Sequence, residues 1–143
     1  MSLALVIEDG HREFYVELAD TWHIDECCEF VKHEVIPLLD RQCRSSAEAR
    51  DEVRVWFAHA PRSTQAACDS PIDFRFLLGL LGEPLPVNLS RAYYDLRPLV
   101  DTSIYDRAVS TAYECDGRLH HALADARAYR RDWLAWMASK ASV

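Results

Sequence analysis

Five consecutive apolar residues near the start of the chain, Leu3-Ala4-Leu5-Val6-Ile7, place the tightest limit on its fold. So short a continuous apolar run reads as a buried strand rather than a half-exposed one, which would alternate. Glu8-Asp9-Gly10-His11-Arg12 follows, with Asp9-Gly10 as a turn signal. Glu13 to Leu18 then alternates and puts Phe14, Val16 and Leu18 on one face. The two segments are therefore expected to pair as a hairpin.

Helix and strand signals alternate over the rest of the chain. Asp25 can cap a helix running to about Val35, with Cys27, Val31 and Val35 on one side and Pro37 stopping it. Ser45-x-x-Glu48 is a capping-box pattern. It opens a helix with Ala49, Val53, Trp56 and Phe57 inward, ending before Pro61. Thr64 to Cys68 reads as a short strand, and Ser70-Pro71 starts a helix through Phe74, Leu77, Leu78 and Leu81 that Gly82 closes. Glu83 to Ser90 is a proline-containing loop, and Arg91 to Leu96 reads as another short strand. Ile104 to Tyr113 is helical, and Asp116-Gly117 separates it from a last helix. No internal repeat is present. The pattern predicts a mixed α/β sheet covered by helices, one domain over residues 1–143.

Half of the residues are hydrophobic, which suits a globular domain. No apolar run reaches membrane-spanning length, and no basic segment followed by an apolar one opens the chain, so a soluble cytoplasmic protein without membrane contact is expected. The five cysteines, Cys27, Cys28, Cys43, Cys68 and Cys115, are odd in number and lack paired metal spacing. Reduced thiols fit them best. A formal net charge of −7 argues against a nucleic-acid coat protein. It does not argue against a nuclease, whose acidic site is neutralised by metal ions.

Chemistry concentrates in His120-His121-Ala122-Leu123-Ala124-Asp125-Ala126. Ala122, Ala126, Tyr129, Trp133 and Trp136 recur at helical spacing and mark an inward face. Asp125 borders that face, and a carboxylate turned toward a core is costly unless something pairs with it. Two readings stand level on these residues. In one, Asp125 holds a divalent metal with His120 beside it as a base. In the other, Asp125 is hydrogen-bonded to backbone and His120 is a polar residue at a helix start. His121 is expected to follow on the helix surface with no catalytic role.

The H-x-A-x-x-D-A arrangement of His120 to Ala126 resembles the third motif of the DEDDh-type 3′→5′ exonucleases of the ribonuclease-H-like fold. Ile72-Asp73-Phe74-Arg75-Phe76-Leu77 is similar to their second motif. The order of elements over nearly the whole chain agrees, and Leu3 to Leu39 resembles the small exoribonuclease-like proteins of bacteria and phages. The resemblance implies His120 as general base and Asp73 and Asp125 as metal-binding carboxylates. It also implies a two-metal Mg²⁺ or Mn²⁺ hydrolysis of phosphodiesters, with oxygen ligands chosen for hard cations. Taken alone, Asp73 reads as the residue that reciprocates a Ser70 cap. The downstream motif shifts the balance toward a site. Asp69, at a strand end, is a nearby alternative that lacks the following apolar pattern.

The family's first motif, Asp-x-Glu on a central first strand, has no counterpart here, and Glu8-Asp9 lie in the hairpin turn. The implied ribonuclease-H-like mixed sheet, flanked by helices, would thus lack its first central strand. Three explanations stand: an upstream segment lost from this chain, a naturally degenerate binding module, or a homodimer whose second copy fills the gap. The first is favoured, with this chain weak or inactive. The substrate class implied is a single-stranded RNA or DNA 3′ end. Arg118 and Arg127 are the expected phosphate contacts, with Arg130 and Arg131 further along the last helix. The rival is a non-catalytic nucleic-acid- or protein-binding domain.

Overall fold

The computed structural model describes residues 1–100 and 102–141. It is a mixed α/β structure. Strand β1 (Ser2–Val6) pairs antiparallel with β2 (Glu13–Leu18) in the register Leu3↔Val16 and Leu5↔Phe14, as the hairpin signals predict. Gly10 takes the left-handed conformation that the turn requires, at φ 77°. β2 pairs in parallel with the two-residue β3 (Cys43–Arg44), giving the order β1-β2-β3. A second small sheet pairs β4 (Ala67–Cys68) in parallel with β5 (Tyr94–Asp95). Among the described residues no strand joins the two sheets, so β1 ends its sheet as an edge.

The helices divide into two layers. In α1 (Ser46–Ala58) the capping box is complete: Ser45 accepts from the backbone of Glu48, and the Glu48 carboxylate accepts from the backbone of Ser45. Ala49, Val53 and Phe57 form its buried stripe, with Trp56 half-buried beside them. In α2 (Pro71–Leu81) Ser70 caps the start, Pro71 occupies the first turn, and Gly82 closes the helix at φ 61°. Phe74, Leu77, Leu80 and Leu81 turn inward. These stripes meet Val16 and Leu18 of β2, Leu3 and Leu5 of β1, Cys68 of β4, and Ala66 and Tyr93 just before the strands of the second sheet in one core. Arg12 of the hairpin turn donates to the carbonyls of Trp56 and His59 and lies over the Trp56 ring, so it serves the exposed carbonyls at the end of α1.

The short α3 (Arg97–Val100) leads into α4 (Ser103–Asp116). Gly117, at φ 65°, breaks the chain as predicted, and α5 (Ala122–Ala141) returns along α4 and packs across β1. Arg130 donates to the Glu8 carbonyl and the Trp133 ring nitrogen to its carboxylate, tying the hairpin turn to α5.

Two expectations are corrected. Residues 25–35 do not form one helix: Ile24–Glu26 is a 3₁₀ turn, Val31–Val35 a π turn, and Ile36–Leu38 another 3₁₀ turn that contains Pro37. None of these residues is fully buried, so no packed face enforces a regular helix there. The most buried stripe of α5 is Ala124, Ala128 and Asp132, whereas Tyr129, Trp133 and Trp136 lie beside it, half-buried. Small side chains let the neighbouring helix approach closely, and the aromatic rings fill the flanks. Cys27, Cys28, Cys43 and Cys68 are free thiols, as predicted, and the Cys115 side chain lies outside the described residues.

Candidate functional site

Asp125 sits in the first turn of α5, and two donors converge on one of its oxygens. The Tyr113 hydroxyl of α4 donates to Oδ1 at 2.7 Å, and the backbone N–H of His120 donates to the same atom at 3.2 Å. The carboxylate thus does what the backbone-bonded reading requires. Its second oxygen makes no hydrogen bond among the described residues. Burial raises its pKa, against the opposing pull of the Tyr113 and His120 hydrogen bonds and of the nearby imidazoles.

The bond from His120 is possible because His120 adopts a left-handed backbone, at φ 73°. That conformation is uncommon for a residue with a side chain, although histidine tolerates it better than most. It turns the two neighbouring imidazoles in opposite directions. His120 faces solvent and packs edge-on against Phe30, with ring centroids 5.1 Å apart. His121, expected on the surface, is instead 1% exposed. Its ring stacks on Tyr15 at 4.7 Å, and its Nε2 lies 3.5 Å from Asp40. Pairs of adjacent histidines give no sequence signal of which one turns inward.

Asp73 stands at the third position of α2, where a cap partner belongs. Its carboxylate makes no cap bond: Ser70 Oγ accepts from Ile72 N–H, and only the backbone of Asp73 returns to Ser70. Among the described residues the Asp73 carboxylate has no hydrogen-bond or ion-pair partner. Burial, and then the charge of Asp69, push its pKa up. Asp69, at the end of β4, accepts a 2.7 Å hydrogen bond from Tyr129 of α5. Tyr129 lies one helical turn beyond Asp125. This contact ties the end of β4, just before α2, to α5 one turn beyond Asp125.

The phenols of Tyr113 and Tyr129 were not foreseen as carboxylate donors. For Tyr129 no signal existed, because its acceptor Asp69 lies sixty positions upstream. For Tyr113, on another helix, none did either.

Arg118 and Arg127, the expected phosphate contacts, are engaged within the chain. Arg118 binds Asp116 at 2.7 Å and reaches Asp40 at 3.5 Å. Arg127 holds Glu13 through two of its nitrogens and reaches Asp116 at 3.5 Å. The guanidiniums lower the pKa of Glu13 and Asp116 chiefly through these hydrogen bonds. The network fastens β2 to both ends of the turn between α4 and α5.

The donor set suits a hard divalent cation in kind, since Asp73 and Asp125 each keep a carboxylate oxygen without a partner. In number it falls short. No group of three histidine, cysteine, aspartate or glutamate side chains among the described residues is placed to hold a metal ion. Among the described residues no helix is long and apolar enough to cross a membrane. No protein-family profile matches the sequence, and no curated protein matches it.

Proposed function

We propose that the chain is a DEDDh-like 3′→5′ exonuclease domain for single-stranded RNA or DNA ends, weak or inactive by itself. The observation that carries this reading is Asp73. It occupies a cap position without capping, and among the described residues its solvent-exposed carboxylate has Asp69 as a charged neighbour and no cation paired with it. Asp125, on the α5 face that Tyr129 joins to Asp69, is the second half of the pair.

In this reading Asp73 and Asp125 would hold Mg²⁺ or Mn²⁺, which neutralises phosphoryl charge and lowers the pKa of a bound water. Tyr113 and the His120 backbone fix one oxygen of Asp125 and leave the other free for the ion. The exposed His120 imidazole accepts the water proton. Such ions take about six oxygen ligands, so two carboxylates leave the sphere mostly to water and bind weakly.

Calorimetric titration with Mn²⁺, run beside an assay on 3′-labelled single-stranded oligonucleotides, tests this. Weak Mn²⁺ binding that is lost in both Asp73→Asn and Asp125→Asn is expected, with little or no shortening of the oligonucleotide. Binding unchanged by both substitutions overturns the reading. Tight two-site binding with activity abolished by Asp125→Ala overturns the claim of weakness.

One observation favours a second reading, a non-catalytic module that pairs with a partner or a second copy. The apolar strand β1 has an unpaired edge, although core residues and α5 cover its faces.

A further inference from the structure

α4 and α5 run antiparallel, and a groove follows their junction. One section, of about 370 Å³, is lined by Ala112, Asp116, Ala124, Arg127 and Arg131. The next, of about 400 Å³, is lined by Ile104, Arg107, Ala108, Thr111, Arg131 and Ala135. Arg131 lines both, so the two sections adjoin at its side chain. Each is within the size of small-molecule sites. Alanines on the facing stripes keep it open.

The two ends differ electrically. Near the interhelical turn, Asp116 is neutralised by Arg118 and Arg127. At the other end, Arg107 and Arg131 both lack a protein acceptor among the described residues. Arg41 and Arg62, both exposed, also lack one among the described residues, and the other arginines are engaged. Arg44, Arg91, Arg97, Arg118 and Arg127 pair with carboxylates. Arg12, Arg50, Arg54, Arg75 and Arg130 donate to backbone carbonyls. Two arginines without an acceptor therefore line the more apolar section, on a protein of net charge −7. Thr111 adds no donor, because its hydroxyl proton goes to the Arg107 carbonyl at 2.9 Å.

We propose that this groove binds a small organic phosphate. The phosphoryl group lies between Arg107 and Arg131, and an apolar or aromatic body rests on Ile104, Ala108 and Ala135. Two guanidinium forks match a tetrahedral dianion better than a single carboxylate, which one fork already satisfies. The apolar walls give no reason for a bare anion to prefer the site. The inference does not need the exonuclease reading: neither Asp73 nor Asp125 lines the groove, although Arg127 and Arg131 are among the arginines that reading names.

Phenyl phosphate is the probe, titrated into the full chain by calorimetry, with inorganic phosphate and phenol as the two halves of the ligand. Saturable phenyl phosphate binding is expected, roughly tenfold tighter than that of phosphate, with phenol undetected. Arg107→Ala and Arg131→Ala should each weaken it by roughly tenfold, as loss of a charge-assisted contact does. Arg62→Ala, an exposed arginine outside the groove, should leave it unchanged. Thermal melts of each variant separate loss of binding from loss of fold. Absence of saturation at millimolar phenyl phosphate overturns the proposal. So does equal affinity for phosphate and phenyl phosphate, or undiminished binding in a folded Arg107→Ala/Arg131→Ala variant.

Discussion

Asp132 is buried to 1% exposure with neither carboxylate oxygen hydrogen-bonded, and burial pushes its pKa up to about 6. An ordinary aspartate titrates near pH 4, so between about pH 4 and 6 the folded chain holds this proton more firmly than the unfolded chain. The stabilising effect of the protonated form is therefore complete below about pH 4, declines as pH rises through about 6, and is absent at neutrality. Asp132→Asn should stabilise the protein by about 1–2 kcal/mol at pH 7 and by almost nothing at pH 4. Urea unfolding followed by circular dichroism at both pH values checks this. An equal gain at both would show that charge is not the cause. Gly10 makes a second residue-scale prediction. A Cβ there would lie 2.6 Å from an Arg130 guanidinium nitrogen, on a backbone at φ +77°. Gly10→Ala should cost about 1–2 kcal/mol from the backbone alone, and more from the displaced Arg130. The same substitution in an Arg130→Ala background should cost less, and a double-mutant cycle in urea measures the difference. Gly10 was legible because turn chemistry is local. The inward turn of His121 was not, because it depends on the left-handed His120 backbone and on Tyr15, more than a hundred positions away.

At the scale of elements, the same division between local and distant causes decides what the sequence discloses. The starts of α1 and α2 were readable because Ser45-x-x-Glu48 and Ser70-Pro71 satisfy free N–H groups within three residues. Ser45→Ala removes the side-chain acceptor for Glu48 N–H and should cost about 1 kcal/mol, seen as a lower urea midpoint with an unchanged slope. The segment 24–38 has helix formers but no buried residue to hold a helix in place, so propensity misled. In α5, spacing found an inward face and misjudged which stripe lies deepest. The aromatic residues suggested the centre, yet alanines and Asp132 occupy it. Asp125 was legible as a carboxylate near that face. Its partner Tyr113 was not, because an interhelical hydrogen bond leaves no periodic trace.

For the molecule as a whole, β1 is the unresolved surface. Its apolar sequence is that of a strand inside a sheet. Leu3 and Leu5 join the core below it, and α5 crosses it above. The hydrogen-bond phase follows from its ends, where Leu18 N–H donates to the Met1 carbonyl and Ile7 N–H to the Arg12 carbonyl. Odd-numbered residues of β1 therefore bond to β2, and Ser2, Ala4 and Val6 direct their backbone groups outward. A row of such groups on an apolar strand is a template for another chain. The chain should thus self-associate with rising concentration in sedimentation velocity. Ala4→Pro removes only an outward N–H, a position where an edge strand tolerates proline, and should shift the population toward monomer while the thermal melt stays cooperative. Val31→Pro, placed in the irregular 24–38 segment, serves as the control for proline itself and should leave association unchanged. If the wild-type chain stays monomeric up to millimolar concentration, the edge is protected in solution, and the second-copy reading fails while the exonuclease reading is untouched.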